Sequence, residues 1–228
     1  MTKNTKKAKQ LVEKLSAADL ASGVALAQKL SSEKKRKFVE SLDLAVMLGI
    51  DAKQTSQSVK GSVTLPHGLG KKVRVIVVTS DAEQAKAAEA AGAVRVGGEE
   101  LITAIDGGFL DFDCCIATQE IMPKMAKAAK KLGPRGLMPS QKNGTVTNNV
   151  KAAVADAIKG KVNFKNDKDG IVHFSAGKVD FKSDNLLENI NFVLSSIKEV
   201  KPESLKGKYI TDLYLNTTMG PSIRISNV

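Results

Sequence analysis

A chain of 228 residues with 42% apolar and 26% charged residues has enough length for one or two globular domains and is not disordered. Its net charge of +11, with a pI near 9.6, calls for an anionic partner, either nucleic acid or an acidic membrane surface. No stretch holds 18 consecutive apolar residues, and the lysine-bearing start MTKNTKKAKQLVEKL has neither the apolar run of a signal peptide nor the arginines of a transit peptide, so no membrane is expected and the expected location is cytoplasmic.

In chain order, KAKQLVEKL and then LASGVALAQKLSSEKKRKF predict helix, with Asp19 as a plausible N-cap. From Phe38 the pattern is that of a strand. In FVESLDLAVMLGI, Val39, Ser41 and Asp43 oppose Leu42, Leu44 and Val46. VKGSVTLP is a second strand, stopped by the breaker cluster Pro66-His67-Gly68-Leu69-Gly70.

The middle of the chain differs in kind. VRVIVVT (73–79) is a β-branched run, as in a strand buried on both faces. SDAEQAKAAEAAGA predicts a helix capped by Ser80 or Asp81 and ended by Gly92. There follow a strand VRVGG, a helix EELITAIDGG, a strand FDCCIAT, one amphipathic helix EIMPKMAKAAKKLG, and a helix NNVKAAVADAIKG closing at Gly160. Alternating strand and helix predict a parallel α/β layer domain. Cys114 and Cys115 are adjacent, cannot close a loop and have no second pair for a metal, so they read as reduced, buried strand residues.

After Gly160 the earlier style returns. KVNFKNDKDGIVHFSAGKV predicts a hairpin around Asp169-Gly170, and SDNLLENINFVLSSIKEV a helix capped at Ser183 or Asp184. KYITDLYLNTT and PSIRISN are the last strands, Tyr214, Asn216 and Thr218 facing one way and Leu215 and Thr217 the other. Neither end supplies enough strands for a core alone. The expectation is therefore a discontinuous α+β domain of residues 1–66 plus 160–228, with an α/β domain of 67–159 inserted. Residues 1–66 carry 12 Lys and Arg against 6 acids, a net of +6; 67–159 net +3 and 160–228 net +2. A polyanion should prefer the split domain.

Catalytic and cofactor signatures are weak. His67 and His173, the only histidines, have no triad-like neighbours that the sequence specifies. NDKDG lacks the ligands of a calcium loop, and neither G-x-G-x-x-G nor a P-loop occurs. Neither a cofactor nor a metal is expected. The alternative function is a nucleotide- or small-molecule-binding enzyme using the α/β middle, or a free-standing regulator of messenger.

The nucleic-acid signals are stronger. Lys34, Lys35, Arg36 and Lys37 run into Phe38; they read either as a solvated helix end or as phosphate contacts, and Phe38 either as core or as a stacking platform. With 4% aromatics and no Trp, the chain is not a stacking-driven binder of single strands. LGPRGLMPSQKNGTV reads either as a turn that stops a helix or as a rigid, open backbone displaying Arg135 and Met138. Near the end, TTMGPS is an uncharged patch, with no charge between Asp212 and Arg224. It reads either as a tight turn or as a surface for ribose, Thr217 and Thr218 offering hydroxyls, Met219 an apolar face and Gly220 an open backbone.

KFVESLDLAVMLGID, LPHGLGKKVRVIVVT, LGPRGLMPSQKNGTV, KNDKDGIVH and TTMGPS occur together and in order. With them the whole chain closely resembles the bacterial L-one family of large-subunit ribosomal proteins. The resemblance implies a split RNA-binding domain with a Rossmann-like three-layer insert, joined by hinge strands. It implies ribosomal RNA on the mobile stalk beside the exit site for deacylated tRNA, whose release it assists, and repression of its own messenger RNA. The implied RNA contacts are Lys37, Phe38, Glu40, Ser41, Asp43, Lys168, Thr218, Met219 and Gly220, to which the hydroxyl argument adds Thr217. Pro66, Gly68, Gly70 and Gly160 are the expected hinge positions, by their Pro and Gly content. Ser41 stands where threonine is common, Gln141 where proline is, and Lys165 where arginine is. The resemblance implies a protein that is not an enzyme and is monomeric when free.

Overall fold

The computed structural model describes residues 19–33, 36–51, 54, 57–202, 205 and 207–226. The helix expected in KAKQLVEKL, and Lys34 and Lys35, lie outside the described residues. The described residues separate into two compact units, those within Met1–Gly70 and Val162–Val228, and those within Lys71–Lys161.

The first unit is built on strand β1, Ser41–Leu48, where Leu42, Leu44, Val46 and Leu48 are buried and the residues between them are not. That alternation is the period of two read in the sequence, and it commits one face to a core. β1 pairs antiparallel with β7 (Ile171–Lys178) on one side and β8 (Ile210–Thr217) on the other, and β9 (Ile223–Ile225) extends the sheet beyond β8. Helices α1 (Leu20–Ser32) and α7 (Ser183–Glu199) pack on the buried face, contributing Val24 and Ala27, and Leu186, Ile190, Val193 and Ile197. Strands β2 (Lys60–Thr64) and β6 (Lys161–Lys165) form a separate two-stranded sheet whose Val63, Val162 and Phe164 join the same core.

This pairing corrects the hairpin expected around Asp169-Gly170. The turn exists: Asp167 Oδ1 accepts from the backbone N–H of Asp169 and Ile171, and Gly170 has φ 76°. The strands it joins part company, however, β6 going to β2 and β7 to β1, with a single bridge between Asn166 and Val172. Asn166 begins the divergence, because both its backbone N–H and its side-chain oxygen bond Val59, at 2.9 Å each. Helix α7 also starts differently, with Lys182 at the N-cap. The Ser183 hydroxyl donates to Gln28 Oε1 at 2.7 Å, tying α7 to α1 instead of capping its own helix.

The register between β1 and β7 shifts between Leu42 and Asp43, which leaves Ala176 as an extra, buried residue. A bulge removes its residue from the ladder, so the Ala176 carbonyl needs another donor. Asn189, fully buried on α7, supplies it at 2.9 Å. The same amide accepts from His67 N at 3.2 Å and donates to Gly68 O at 3.1 Å, so the breaker cluster is pinned to the first unit.

In the second unit, parallel strands β3 (Val75–Val78), β4 (Arg95–Gly97) and β5 (Cys114–Ala117) are ordered β4-β3-β5. β3 is buried on both faces, as its unbroken apolar run requires. Ile76 and Val78 face one cluster with α3 (Glu99–Asp106) and the 119–132 segment; Val75 and Val77 face another with α2 (Ala82–Ala90) and α6 (Val150–Lys159). The unit thus has three layers. Asp81 caps α2 through Glu83 N, and Asn149 caps α6 through Ala152 N.

The single helix expected in EIMPKMAKAAKKLG is interrupted: α4 (Met122–Met125) and α5 (Ala129–Leu132) are joined and preceded by tight three-residue turns. Pro123, lacking an N–H, occupies the first turn of α4, where none is needed. Ile121, Met125, Ala128 and Leu132 still share one buried stripe. Burial raises the thiol pKa of both Cys114 and Cys115, in keeping with inert strand residues.

Asn189→Leu keeps the approximate volume but leaves His67 N–H and the Gly68 and Ala176 carbonyls unpaired. The expected loss is at least about 2 kcal/mol, since each buried orphan costs about 1–3 kcal/mol. Urea unfolding measures it, and limited proteolysis should cut faster within 66–70.

Candidate nucleic-acid interface

At one end of the β1–β8 ladder, the chain leaving β8 turns sharply at 217–220 beside the segment entering β1. Thr218 binds Ser41 twice: its N–H donates to Ser41 O at 3.1 Å, and its hydroxyl accepts from Ser41 N at 3.0 Å. Gly220 N donates to Thr217 O at 2.9 Å and closes the turn. On β7, Lys178 Nζ donates to Ser41 Oγ at 2.9 Å.

Beneath this surface lies Glu40, 2% exposed. One carboxylate oxygen pairs with Arg36 Nη1, and the other accepts from Met219 N at 3.3 Å. Arg36 Nη2 in turn donates to Met219 O at 3.3 Å. Arg36 and Glu40 therefore hold both backbone polar groups of Met219, whose side chain is left 64% exposed. A buried acid that is both charge-paired and hydrogen-bonded escapes most of its desolvation penalty.

Lys37, Phe38, Ser41, Thr218, Met219 and Gly220 are thus brought together. Phe38, at 53% exposure, is not part of the core; it lines a concavity of about 540 Å³ with Lys29, Ser32, Lys37 and Asp180. Asp43 lies two residues further along β1, on the face of the sheet away from the helices. Two positions are sited differently from the expectation. Glu40 and Thr217 are buried, at 2% and 3%, so neither presents its side chain to a partner. Their chemistry is to support the turn: burial on alternate positions of β8 sends Leu215 and Thr217 inward and Asn216 outward.

Lys168 is not part of this cluster. It is exposed on the turn before β7, at the opposite end of the ladder from Lys178, about 23 Å away by strand rise. Lys178 itself was missed, because only the register opposite Ser41 reveals it. Pro66 and Gly68 belong to the pinned breaker cluster, Gly68 and Gly70 have φ 67° and 66°, and Gly160 caps α6 with φ 108°.

Both units hold paired cations as well as exposed ones without an ion pair among the described residues. In the second, Lys71 and Arg74 bind Asp113 at 2.9 and 3.2 Å, Arg74 also pairs with Asp111, Lys124 with Glu99, and Lys131 with Asp106 at 3.5 Å. Lys71, followed by the backbone and side chain of Arg74, holds the Asp113 carboxyl down to about 2. In the first unit Lys37 and Lys168 are exposed and make no ion pair among the described residues. Of the described residues, no group of His, Cys, Asp and Glu could hold a metal, and no helix is long and apolar enough to cross a membrane.

The family model of the ribosomal protein L1p/L10e family matches residues 30–221. The chain belongs to this family. It is 46% identical over 220 residues to the large ribosomal subunit protein uL1 of Persephonella marina, covering 96% of this chain and 90% of that one. To the protein of the same name from Dichelobacter nodosus it is 45% identical over 225 residues, covering 99% and 97%. The family is one of structural ribosomal proteins, and the chain is not an enzyme.

Glycine is required at 220 for space: a Cβ there would overlap the Thr217 hydroxyl, which is buried and has little room to move. Gly220→Ala should cost about 1–3 kcal/mol of overpacking. Adding Thr217→Ala should recover much of it, a coupling measurable as a double-mutant cycle in urea unfolding.

Proposed function

We propose that the protein is a structural constituent of the large ribosomal subunit that binds ribosomal RNA through the surface around Lys37–Asp43 and Thr218–Gly220. Glu40 and Thr217 act as its internal supports, and Lys168 is an outlying phosphate contact. The observation that carries this reading is an uncharged, backbone-anchored turn set beside unpaired lysine in the more basic unit. Lysines hold any phosphate, whereas a fixed turn with exposed Met219 accepts one shape. The large-subunit name of the two relatives supports the same assembly.

On this reading residues 1–66 and 160–228 are the RNA-binding domain and 67–159 a Rossmann-like insert. The family resemblance extends it to the mobile stalk beside the exit site, where the protein assists release of deacylated tRNA. It extends also to repression of the protein's own messenger RNA through a mimic of the ribosomal site. The protein works in the cytoplasm, without cofactor or membrane, and is monomeric when free. Of the expected hinge positions, Gly70 and Gly160 serve as hinges, and Pro66 and Gly68 stay on the fixed side. Because Asn189 grips His67 and Gly68, bending is expected beyond Gly68.

Met219→Ala should weaken binding to large-subunit ribosomal RNA by about 1–3 kcal/mol and leave unrelated RNA and the melting temperature unchanged. Thr218→Val is the poorer probe, since it also removes the bond to Ser41 N. Lys37→Ala should weaken both RNAs and lower the salt slope by about 0.7–0.9, the share of one phosphate. Equal losses for Met219→Ala on both RNAs would defeat the assignment. For the hinge, small-angle scattering should change when that RNA is added; identical profiles would count against closure.

A further inference from the structure

The sheet face away from α1 and α7 carries a slot. Ala45 stands at the centre of three strands, paired with His173 on β7 and with Tyr214 on β8. Neighbouring strands lie about 4.8 Å apart, so the two ring-bearing residues are rooted about 10 Å from each other across a single methyl group. A planar ring held between two others needs about 7 Å, twice the contact distance of carbon atoms. His173 Nε2 lies 3.7 Å from Asp167 Oδ2, an exposed contact that the imidazole gives up when it leans over Ala45 to meet that spacing. The chain has 2 His and 2 Tyr, and one of each flanks this alanine. The resulting concavity of about 460 Å³ is lined by these three residues with Asp43, Asn216 and Ser222.

Asp43 is the informative member. It is half-buried, pairs in register with Asn216, and its carboxylate has no hydrogen-bond or ion-pair partner among the described residues. In a protein of net charge +11, an unpartnered carboxylate in the floor of a slot repels phosphate. It fits instead a ligand that brings its own donors. Among the bases, guanine alone offers two parallel N–H donors on one edge, N1–H and the N2 amino group, matching both carboxylate oxygens. Unpaired bases are recognised in this way, by stacking on side-chain rings with their pairing edge hydrogen-bonded.

We infer that the slot between His173 and Tyr214 receives one unpaired guanine of the bound RNA, with Asp43 reading its N1–H and N2 donors. This rests on the RNA-binding reading above and adds a base-specific contact to a surface that otherwise reads shape.

The test uses the full chain, labelled with nitrogen-15, and the pentaribonucleotides U-U-X-U-U with X as guanosine, inosine, adenosine or cytidine. The expected result is saturable shifts at the amides of Asp43, Ala45 and Tyr214, with guanosine bound about fivefold tighter than inosine, the worth of one hydrogen bond. Asp43→Asn should erase the preference for guanosine over inosine. Ala45→Leu should fill the slot and abolish the shifts while large-subunit ribosomal RNA binds more weakly with an unchanged salt slope. If Ala45→Leu does not fold, Asp43→Asn, which changes no volume, decides alone. Equal binding of guanosine and inosine, or shifts that avoid these three residues, would overturn the inference even if ribosomal RNA still binds. Discrimination among the pentamers by a protein that fails to bind ribosomal RNA would uphold the slot and sink the broader reading instead.

Discussion

Strand β1 has partners on both edges, and both come from the far end of the chain. Met47 pairs with Ile171 and Asp212, and Leu42 with Gly177 and Thr217. The alternation of β1 commits Leu42, Leu44, Val46 and Leu48 to the core, so its register with β8 is not free to slip. A one-residue slip would turn Thr217 outward and Thr218 inward, and bury Asn216. The turn at 217–220 therefore owes its place beside Ser41 to hydrophobic residues that never touch that surface.

Once the register is set, electrostatics finish the site. Glu40 is spent internally, on Arg36 and on Met219 N, and Arg36 is spent with it. Among the described residues beside the turn, Lys37 is exposed and without an ion pair, next to the exposed ring of Phe38 and the thioether of Met219. The second unit pairs Arg74, Lys71, Lys124 and Lys131 with its own acids, yet its exposed Lys72, Lys86, Lys127 and Lys130 make no ion pair among the described residues. What distinguishes Lys37 is its place beside the anchored turn.

Period and punctuation made much of this legible. Alternation located β1, β7 and β8 and told their faces, the β-branched run located β3, and Asp81, Gly92 and Gly160 bounded helices as expected. The same signals are silent about partners. The Asp169-Gly170 turn reads identically whether its strands pair or part, and only Asn166 binding Val59 sends β6 to β2. The resemblance named Glu40 without saying whether it touches RNA or holds the residues that do; burial makes the distinction, and burial at 40 depends on a turn 179 residues away. Lys178 had no local signal at all. Ser183 had a misleading one, since it is already the first helical residue, behind Lys182 at the N-cap, and its hydroxyl donates to Gln28 across the helix pair.

The placement of β1 also has a consequence in time. Chains emerge from N- to C-terminus at about 5–20 residues per second. Between the synthesis of Leu48 and of Ile210, roughly 8–30 seconds pass, during which β1 has no β8 to pair with. The segment Lys71–Lys161 is contiguous and needs nothing outside itself for its three layers, so it can fold during that interval. The split unit cannot, because its central strand waits for both neighbours. A partly made chain thus holds Phe38 and Lys37 without Thr218 or Met219, and the proposed RNA surface comes into being only once residues 217–220 are made.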